Sequence, residues 1–175
     1  MQFNRNPWKK IWNNRNIASV HNYKNLLKKL MIANGHIGKN KKININDWKK
    51  YSQNVIDILN PKKEDNLFEV GCGAGALLYI LKNNFKDYGG CDYSKELVSL
   101  AIKNLNTNKI YLKDAKDINT SEKYDYVIAS SLFEYVNKKD AKKILFKMIK
   151  KSRKKIFISE LLKKKMKNNF IKKFK

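Results

Sequence analysis

The spacing of apolar residues changes at about residue 60. Before that point, apolar side chains recur three and four positions apart in the stretches 8–12, 26–31 and 48–59. This spacing predicts three short helices. After residue 66, short apolar runs alternate with helical patterns. We therefore expect a helical N-terminal preface over 1–60, an α/β domain over 61–162 and a lysine-rich tail over 163–175.

The alternating part of the chain contains five short apolar runs with turns or helices between them. Strands that alternate with helices form parallel sheets covered on both faces, and their crossovers are right-handed. We therefore predict a Rossmann-like parallel sheet of order 3-2-1-4-5, whose last strand is an exposed edge or pairs with a second copy as a homodimer. The predicted strands span residues 66–71, 87–94, 109–115, 124–131 and 154–161, and the predicted helices span 76–85, 95–105 and 140–152.

The stretch LFEVGCGAGALL, residues 67–78, places three glycines at alternate positions where the first predicted strand meets its helix. Ligands of open α/β sheets bind at the carboxyl ends of the strands. Glycine permits positive φ and lets a ligand approach the backbone closely. The second strand ends in Asp92, 21 positions after Gly71, which suits a carboxylate that binds ribose hydroxyls. Together these features predict a nucleotide site.

The segment GCGAGA also satisfies the G-x-G-x-x-G/A pattern of NAD sites. Three features favour S-adenosylmethionine instead. Glu69 lies inside the first strand, where a carboxylate could face the ammonium of a methionine moiety. Asp114 lies at the end of the third predicted strand, where it could accept a hydrogen bond from an adenine amino group. The residues after the fifth strand are too few to form a domain that would present a hydride acceptor.

The two motifs together, Glu69–Gly75 (EVGCGAG) and Gly90–Ser94 (GCDYS), resemble those of class I S-adenosylmethionine-dependent methyltransferases of the small-molecule type. In that family the glycine turn lies under the methionine part of the cofactor, and the acid after the second strand binds the ribose. The resemblance therefore implies an enzyme with S-adenosylmethionine as its cofactor. The residues it assigns to cofactor binding are Glu69, Gly71, Gly73, Gly75, Asp92, Tyr93, Asp114, Ala115 and Ser130.

The resemblance extends beyond the fourth strand. Asp125–Ser131 is similar to the family's D-x-V strand followed by small residues, and 132–136 is similar to the F-x-Y stretch of small-molecule methyltransferases. Glu134 and Tyr135 are the candidate catalytic residues, because Glu134 could orient or deprotonate an acceptor near the sulfonium. The alternative is a helix-start acid and a packing aromatic. The chain departs from the family after its fifth strand, where the usual C-terminal strands have no room, so we expect those strands to be missing.

Histidines and cysteines lack the spacing of a metal or triad site. His21 and His36 have no partner at such a spacing, and a structural or solvent-facing role is favoured for both. Cys72 and Cys91 belong to no CxxC or Cys/His motif. We expect no metal site and two reduced, small packing residues.

The preface carries two tryptophans on its first predicted helix. Packing in the core is the favoured interpretation of Trp8 and Trp12. The alternative is a lid over the cofactor, as the N-terminal helices of similar enzymes form.

The formal charge of +24 is unevenly distributed: +10 over 1–66, −1 over 67–136 and +15 over 137–175. Specific nucleic-acid recognition favours arginine, and nearly all of this charge is lysine. A compositional excess of lysine on solvated faces is the favoured interpretation. Helical spacing directs Ile144, Leu145, Met148 and Ile149 inward and the neighbouring lysines outward. We therefore expect only weak, nonspecific polyanion binding that salt removes.

The residues after the fourth strand argue against several acceptors. Ser130 and Ser131 occupy the place of the D/N-P-P-Y/F stretch of DNA amino-methyltransferases and of the acid in RNA 2′-O enzymes. No Pro-Cys pair is present for cytosine C5 methylation. The leading hypothesis is methyl transfer to an oxygen or nitrogen of a sugar, amine or related metabolite. There are two alternatives. One is an RNA-modifying methyltransferase that uses the basic flanks, residues 1–66 and 137–175. The other is a catalytically inactive partner subunit.

Membrane segments are not expected. The apolar runs fall short of the roughly 20 residues of a membrane helix, and the N-terminal residues lack the hydrophobic region of a signal peptide. The sequence therefore predicts a cytoplasmic protein with no membrane partner.

Overall fold

A computed structural model of the chain describes residues 7–14, 17, 20, 23–38 and 41–159. The predicted lysine-rich tail, His21 and the last two residues of the predicted fifth strand lie outside these ranges.

Three helices form the N-terminal preface, as the apolar spacing predicts. They are α1 (Pro7–Asn13), α2 (Leu26–Ala33) and α3 (Ile45–Leu59). The side chains of Asn25 and Asn44 cap α2 and α3 by accepting hydrogen bonds from backbone N–H groups of the first turn. Asparagine therefore begins these helices, in place of the serine or threonine common elsewhere.

A short antiparallel pair connects α2 to α3. It consists of β1 (Ile37–Gly38) and β2 (Lys41–Lys42). The apolar spacing predicts neither strand, because two residues are too few for the alternation of a strand to be visible.

Five parallel strands form the central sheet. They are β3 (Asn66–Val70), β4 (Asp87–Asp92), β5 (Ile110–Leu112), β6 (Tyr124–Ser130) and β7 (Ser152–Ser159), and the helices between them are α4 (Ala76–Leu81), α5 (Lys95–Leu105) and α6 (Lys138–Lys151). The order β5-β4-β3-β6-β7 confirms the predicted 3-2-1-4-5 arrangement. The strand order reverses between β3 and β6, and a ligand crevice forms at the carboxyl ends beside such a point. Pairing of the edge strand β7 with a second copy stays a prediction.

The side chains of β3 alternate between two hydrophobic cores. Leu67 packs in the core that includes α2, α3, α4 and α5, whereas Phe68 and Val70 pack in the core beneath α6. Leu30 of α2 and Trp48 of α3 are buried in the first of these cores. The preface therefore shares its core with the α/β sheet. Among the helices of the described ranges, none has both the length and the hydrophobicity required to cross a membrane.

The inward face of α6 differs from the predicted one. Ile149 is 54% exposed, so its predicted inward position is wrong. The buried residues are Ile144, Met148 and Lys151, which lie four and three positions apart along one face. Ile149 follows Ile144 by five positions, which turns it well away from that face. The Lys151 ammonium donates to the carbonyls of Asn119 and Glu122, and burial lowers its pKa.

An ion pair joins three strands at the amino end of the sheet. The Asp125 carboxylate of β6 accepts hydrogen bonds from Arg153 of β7 at 3.1 and 3.2 Å and from the backbone N–H of Asn66 in β3 at 3.1 Å. The hydrogen bond from Arg153 lowers the pKa of Asp125. This aspartate of the D-x-V stretch therefore fastens the strands together on the side away from the crevice.

Replacing this carboxylate is expected to produce a pH-dependent loss of stability. A lowered pKa in the folded state means that Asp125 stabilises the fold above its ordinary pKa of 3.8, and that this contribution disappears as the pH falls through the folded value. Asp125→Asn should lower the free energy of unfolding by about 1 kcal/mol at pH 7, since Arg153 is partly exposed and the pair is screened by solvent. The difference should shrink as the pH is lowered from 7 to well below 3.8. Urea unfolding at both pH values measures it, with Asp117→Asn, an exposed ion-pair partner of Lys143, as control. A difference that persists at low pH would contradict the assignment.

Candidate functional site

The turn between β3 and α4 is held in shape by the backbone of β4. The N–H groups of Gly71 and Cys72 both donate to the carbonyl of Cys91, at 2.8 and 3.0 Å. Gly71, Gly73 and Gly75 all have positive φ, as the sequence predicts for a bare turn. Both cysteines are free and buried, as expected.

Asp92, at the end of β4, binds the same turn. Its carboxylate accepts hydrogen bonds from the backbone N–H of Gly73 at 3.0 Å and of Ser94 at 2.8 Å. Burial raises the pKa of Asp92, although these N–H donors oppose the shift. The spacing that linked the glycine turn to Asp92 in the sequence therefore corresponds to direct contact.

Glu69 is buried near Asp92 and the glycine turn. Its side chain is 3% exposed, and its Oε2 is the one buried side-chain oxygen or nitrogen without a hydrogen-bond partner in the part of the chain that is described. Burial and then the charge of Asp92 raise the pKa of Glu69 well above its usual value, while the Leu78 N–H works in the opposite direction. A buried, unsatisfied carboxyl oxygen is costly. Such a group suits a cationic ligand.

A cavity opens at the carboxyl ends of β3, β4 and β6. Its lining residues are Trp12, Asn34, His36, Trp48, Glu69, Gly71, Gly73, Leu77, Asp92, Tyr93, Leu97, Ser130, Ser131, Leu132, Tyr135 and Val136. Seven of the residues assigned from the sequence are among them. The other four, Gly75, Asp114, Ala115 and Glu134, are not.

Gly75 has a structural position at the start of α4. It is the N-cap residue of that helix, with a φ of 80°, and a Cβ there would overlap the side chain of Leu105. The third glycine therefore permits close packing of the turn on α5.

Asp114 is engaged with the preface. Its carboxylate accepts from the Lys116 N–H and from the Lys9 ammonium of α1, each at 3.1 Å. Burial would raise its pKa, but these two partners hold the pKa of Asp114 below its usual value. Ala115 begins the 3-10 turn that Asp114 caps. The acid expected at an adenine is therefore held in an ion pair at the end of β5.

Helix α1 lies across the carboxyl ends of the strands. The Tyr93 hydroxyl donates to the Trp8 carbonyl at 3.4 Å, and the Ser94 hydroxyl donates to the Trp12 carbonyl at 3.2 Å. Both indoles pack edge-on against Tyr135, with ring centroids 5.1 and 5.6 Å away. Trp8 is 42% exposed, so the favoured core position is wrong for it, whereas Trp12 lines the cavity. A lid role for α1 stays a prediction.

Glu134 and Tyr135 occupy different positions. They lie on a 3-10 turn, Phe133–Tyr135, that precedes α6, so neither of them begins that helix. Tyr135 lines the cavity, while Glu134 is exposed outside it. A 3-10 turn has about three residues per turn, so consecutive side chains point in different directions. Glu134 is therefore directed away from the wall that Tyr135 reaches.

The preface supplies one wall of the cavity, and no motif in the sequence predicted this wall. The Asn34 side chain accepts from the Ala74 N–H at 2.6 Å and donates to the Cys72 carbonyl at 3.3 Å. Trp48 donates from its indole nitrogen to the Ala76 carbonyl at 3.2 Å. These bonds attach α2 and α3 to the glycine turn. The Asn-Gly pair that ends α2 was a visible turn signal, but it did not indicate which part of the chain it would contact.

His36 also belongs to this wall. Its imidazole is 8% exposed and stacks on Trp48 with ring centroids 4.3 Å apart. Trp48 in turn lies 5.2 Å from the Tyr51 ring. The Tyr51 hydroxyl shares a hydrogen bond of 2.8 Å with that of Ser130 and another with that of Ser159. One continuous row of side chains therefore leads from His36 to the carboxyl end of β6.

Comparison with known families identifies the α/β part of the chain. A family model described as a methyltransferase domain matches residues 68–152, from β3 to the first residue of β7. A comparison with curated protein sequences finds no match.

Solved structures share the fold at low sequence identity. DesVI from Streptomyces venezuelae has a TM-score of 0.63 and 15% identity, over 87% of this chain and 61% of DesVI. Magnesium protoporphyrin IX methyltransferase (ChlM) from Synechocystis PCC 6803, solved with bound S-adenosylmethionine, has a TM-score of 0.61 and 13% identity, over 90% and 76% of the two chains. CalS10 from Micromonospora echinaspora, an amino pentose methyltransferase, has a TM-score of 0.56 and 16% identity, over 67% and 55%. The chain thus spans less than two thirds of DesVI and of CalS10.

Proposed function

We propose that this chain, whose residues 68–152 match a methyltransferase domain and whose fold is that of solved methyltransferases, is a class I S-adenosylmethionine-dependent methyltransferase that transfers a methyl group from S-adenosylmethionine to a small-molecule acceptor. The observation that carries the proposal is the unpartnered Oε2 of buried Glu69, which lines the same cavity as Asp92 and the glycine turn. A buried carboxyl oxygen with no partner can accept a hydrogen bond from the ammonium at the methionine end of this cofactor, and the positive charge of the ammonium favours the ionised form of Glu69.

The residues present fit the cofactor. In the proposed complex, Glu69 accepts from the ammonium group and Asp92 accepts from the ribose hydroxyls. The Asp92 carboxylate keeps its bonds to Gly73 and Ser94, which hold it in place. The bound cofactor supplies a methyl group on a sulfonium, and the protein needs chiefly to orient the acceptor and exclude water. Helix α1 and its tryptophans suit the second task.

The charge of the cavity favours a small acceptor that is neutral or cationic. Among its sixteen lining residues there is no lysine or arginine, although the chain has a net charge of +24, and two of the lining residues are carboxylic acids. A phosphate-rich acceptor needs cationic partners near its reacting end. Amine and sugar acceptors do not, and CalS10, of the same fold, is an amino pentose methyltransferase.

Calorimetry with two ligands tests the proposal. S-adenosylhomocysteine should bind to the protein with measurable heat, and NAD under the same conditions should not. S-adenosylhomocysteine lacks the reactive methyl group, so its binding reports on the site without turnover. Binding of NAD alone would overturn the proposal.

Binding of RNA to the basic flanks is tested by a separate measurement. A single-stranded RNA of mixed sequence should bind weakly at low salt, and that binding should disappear by roughly 0.2 M salt, where purely electrostatic contacts have lost orders of magnitude in affinity. Fluorescence anisotropy of a labelled RNA measures it, and adding S-adenosylhomocysteine should leave the affinity unchanged. RNA binding that survives this salt, or that depends on the cofactor, would favour an RNA acceptor instead.

A further inference from the structure

The proposed cofactor site runs across neighbouring strands of the sheet. Glu69 belongs to β3, and Asp92 ends β4, which lies between β3 and β5. With the ammonium of the cofactor at Glu69 and its ribose at Asp92, as the proposed function has them, the adenine extends in the same direction, toward the carboxyl end of β5. Neighbouring strands are about 4.8 Å apart, so one further strand is within reach of the base. Two side chains lie at that end, Asp114 after β5 and Tyr93 directly after Asp92.

Lys9 of α1 contacts both of these side chains. Its ammonium donates a hydrogen bond to the Asp114 carboxylate at 3.1 Å and lies over the Tyr93 ring, 5.6 Å from the ring centroid. The Tyr93 hydroxyl donates to the Trp8 carbonyl of the same helix. An adenine at this end of the sheet would use the same two groups, because its amino group needs an acceptor and its flat ring packs on an aromatic face. Lys9 therefore makes the contacts that the base requires.

The cavity ends where α1 meets these residues. Asp92 and Tyr93 line the cavity, whereas Asp114 does not. The cavity therefore includes the groups proposed for the methionine and ribose ends of the cofactor. The acid at the adenine end is held by α1 instead.

Helix α1 is weakly anchored to the rest of the protein. Among the side chains described for α1, Trp12 alone is not exposed, and Ile11 is 51% exposed. By contrast, α2 and α3 bury Leu30 and Trp48 in the core. Hydrogen bonds and edge-on ring contacts with Tyr135 hold α1 in place. A helix with so little buried apolar surface separates from the protein at a low cost in free energy.

On the basis of the proposed function, we infer that α1 is an autoinhibitory segment: Lys9 and the adenine of the cofactor compete for Asp114 and Tyr93, and cofactor binding displaces Lys9. Since only a fraction of the molecules then has these groups open, the observed affinity is the intrinsic affinity reduced by that fraction. The Lys9 side chain is 52% exposed, so its ion pair with Asp114 is weak and is screened by salt. The contact therefore lowers the affinity for the cofactor without closing the site.

Calorimetry with S-adenosylhomocysteine compares two lysine variants of α1 at low salt. Lys9→Met keeps most of the length of the side chain but removes its charge and its donor, so we expect about two- to fivefold tighter binding than for the unmodified protein. Lys10→Met removes the same charge from an exposed neighbour on the same helix, and it should change the affinity less than about 1.5-fold. Lys9→Gln replaces Lys9→Met if thermal unfolding shows that the latter is not folded.

Salt and a charge-conserving variant separate competition from a structural effect. In about 1 M NaCl, where the screening length is about 3 Å, the affinities of the unmodified protein and of Lys9→Met should converge. Lys9→Arg keeps a cation that donates to Asp114, so its affinity at low salt should lie closer to that of the unmodified protein than to that of Lys9→Met. A merely structural role of Lys9 would produce neither result.

Two outcomes would overturn the inference. One is equal affinity of the unmodified protein and Lys9→Met at low salt, which would show that Lys9 and the cofactor do not compete. The other is weaker binding by a folded Lys9→Met protein, which would show that α1 contributes to the complex. Binding by Lys9→Met alone would support the inference. If neither protein binds S-adenosylhomocysteine, the proposed function itself fails, and this outcome is distinct from any change in affinity.

Discussion

Asp92→Ala is expected to reduce the affinity for S-adenosylhomocysteine about 10- to 150-fold, which corresponds to about 1.5–3 kcal/mol for hydrogen bonds to a charged group. The physical reason is twofold. The proposed contact with the ribose hydroxyls disappears, and the backbone N–H groups of Gly73 and Ser94 lose their shared acceptor. Isothermal titration calorimetry measures the affinity, and thermal unfolding shows whether the variant is folded.

The start of the same strand supplies the control. Asp87 is also an aspartate of β4, but it lies at the opposite end, is partly exposed and pairs with Lys109. Asp87→Ala should leave the affinity unchanged within about twofold. Asp92→Asn should fall between the wild type and alanine, since its amide oxygen can still accept one of the two backbone hydrogen bonds. Equal affinities for the wild type and Asp92→Ala would exclude Asp92 from the site.

Gly73→Ala is expected to lower the free energy of unfolding by about 2–4 kcal/mol and to impair cofactor binding. Gly73 has a φ of 55°, which costs about 1–2 kcal/mol for a residue with a Cβ. A Cβ there would also lie 2.5 Å from Oδ1 of Asn34. The Asn34 amide would then have to leave its two hydrogen bonds with the turn, at a cost of about 1 kcal/mol each. Urea unfolding measures the stability.

A double-mutant cycle separates the backbone cost from the contact. In an Asn34→Ala background the space beside Gly73 is open, so Gly73→Ala should cost only the backbone part, about 1–2 kcal/mol. The remainder is the coupling between the two residues. Strictly additive effects would show that Asn34 does not constrain the turn.

The sheet was predictable because its signals are local. Apolar runs of strand length, helical spacing and the glycine turn each arise from neighbouring residues, and the right-handed crossover rule restricts how they assemble. The five-strand order follows from these signals, as does the contact between Asp92 and the turn. The inward face of α6 was predicted in part, since Ile144 and Met148 are buried but Ile149 is not. The apolar residues of α6 come as two adjacent pairs, 144–145 and 148–149, so the sequence does not show which member of each pair points to the core. The packing of α6 on the sheet decided this.

Several residues that line the cavity were also accessible from the sequence. Glu69, Gly71, Gly73 and Asp92 belong to motifs at fixed distances along the chain, so the resemblance to a family could single them out. Asp114 was predicted at the end of the third strand, and it lies two residues beyond the end of β5. Its ion pair with Lys9, however, joins residues that are 105 positions apart, and no motif includes both.

The sequence by itself determined the class of fold, the strand order and the nucleotide-type turn, because backbone conformation and strand pairing follow from short-range pattern. Only the tertiary structure decided which side chains face that turn from the preface. Asn34, His36 and Trp48 come from elements whose own sequences predict only helices and a turn. Their place on the cavity results from the burial of α2 and α3 in the same core as α4 and α5. Tertiary packing likewise left Glu134 outside the cavity and His36 on its wall. Whether a side chain points into a cavity depends on how whole helices and strands pack, and the spacing of residues along the chain does not determine it.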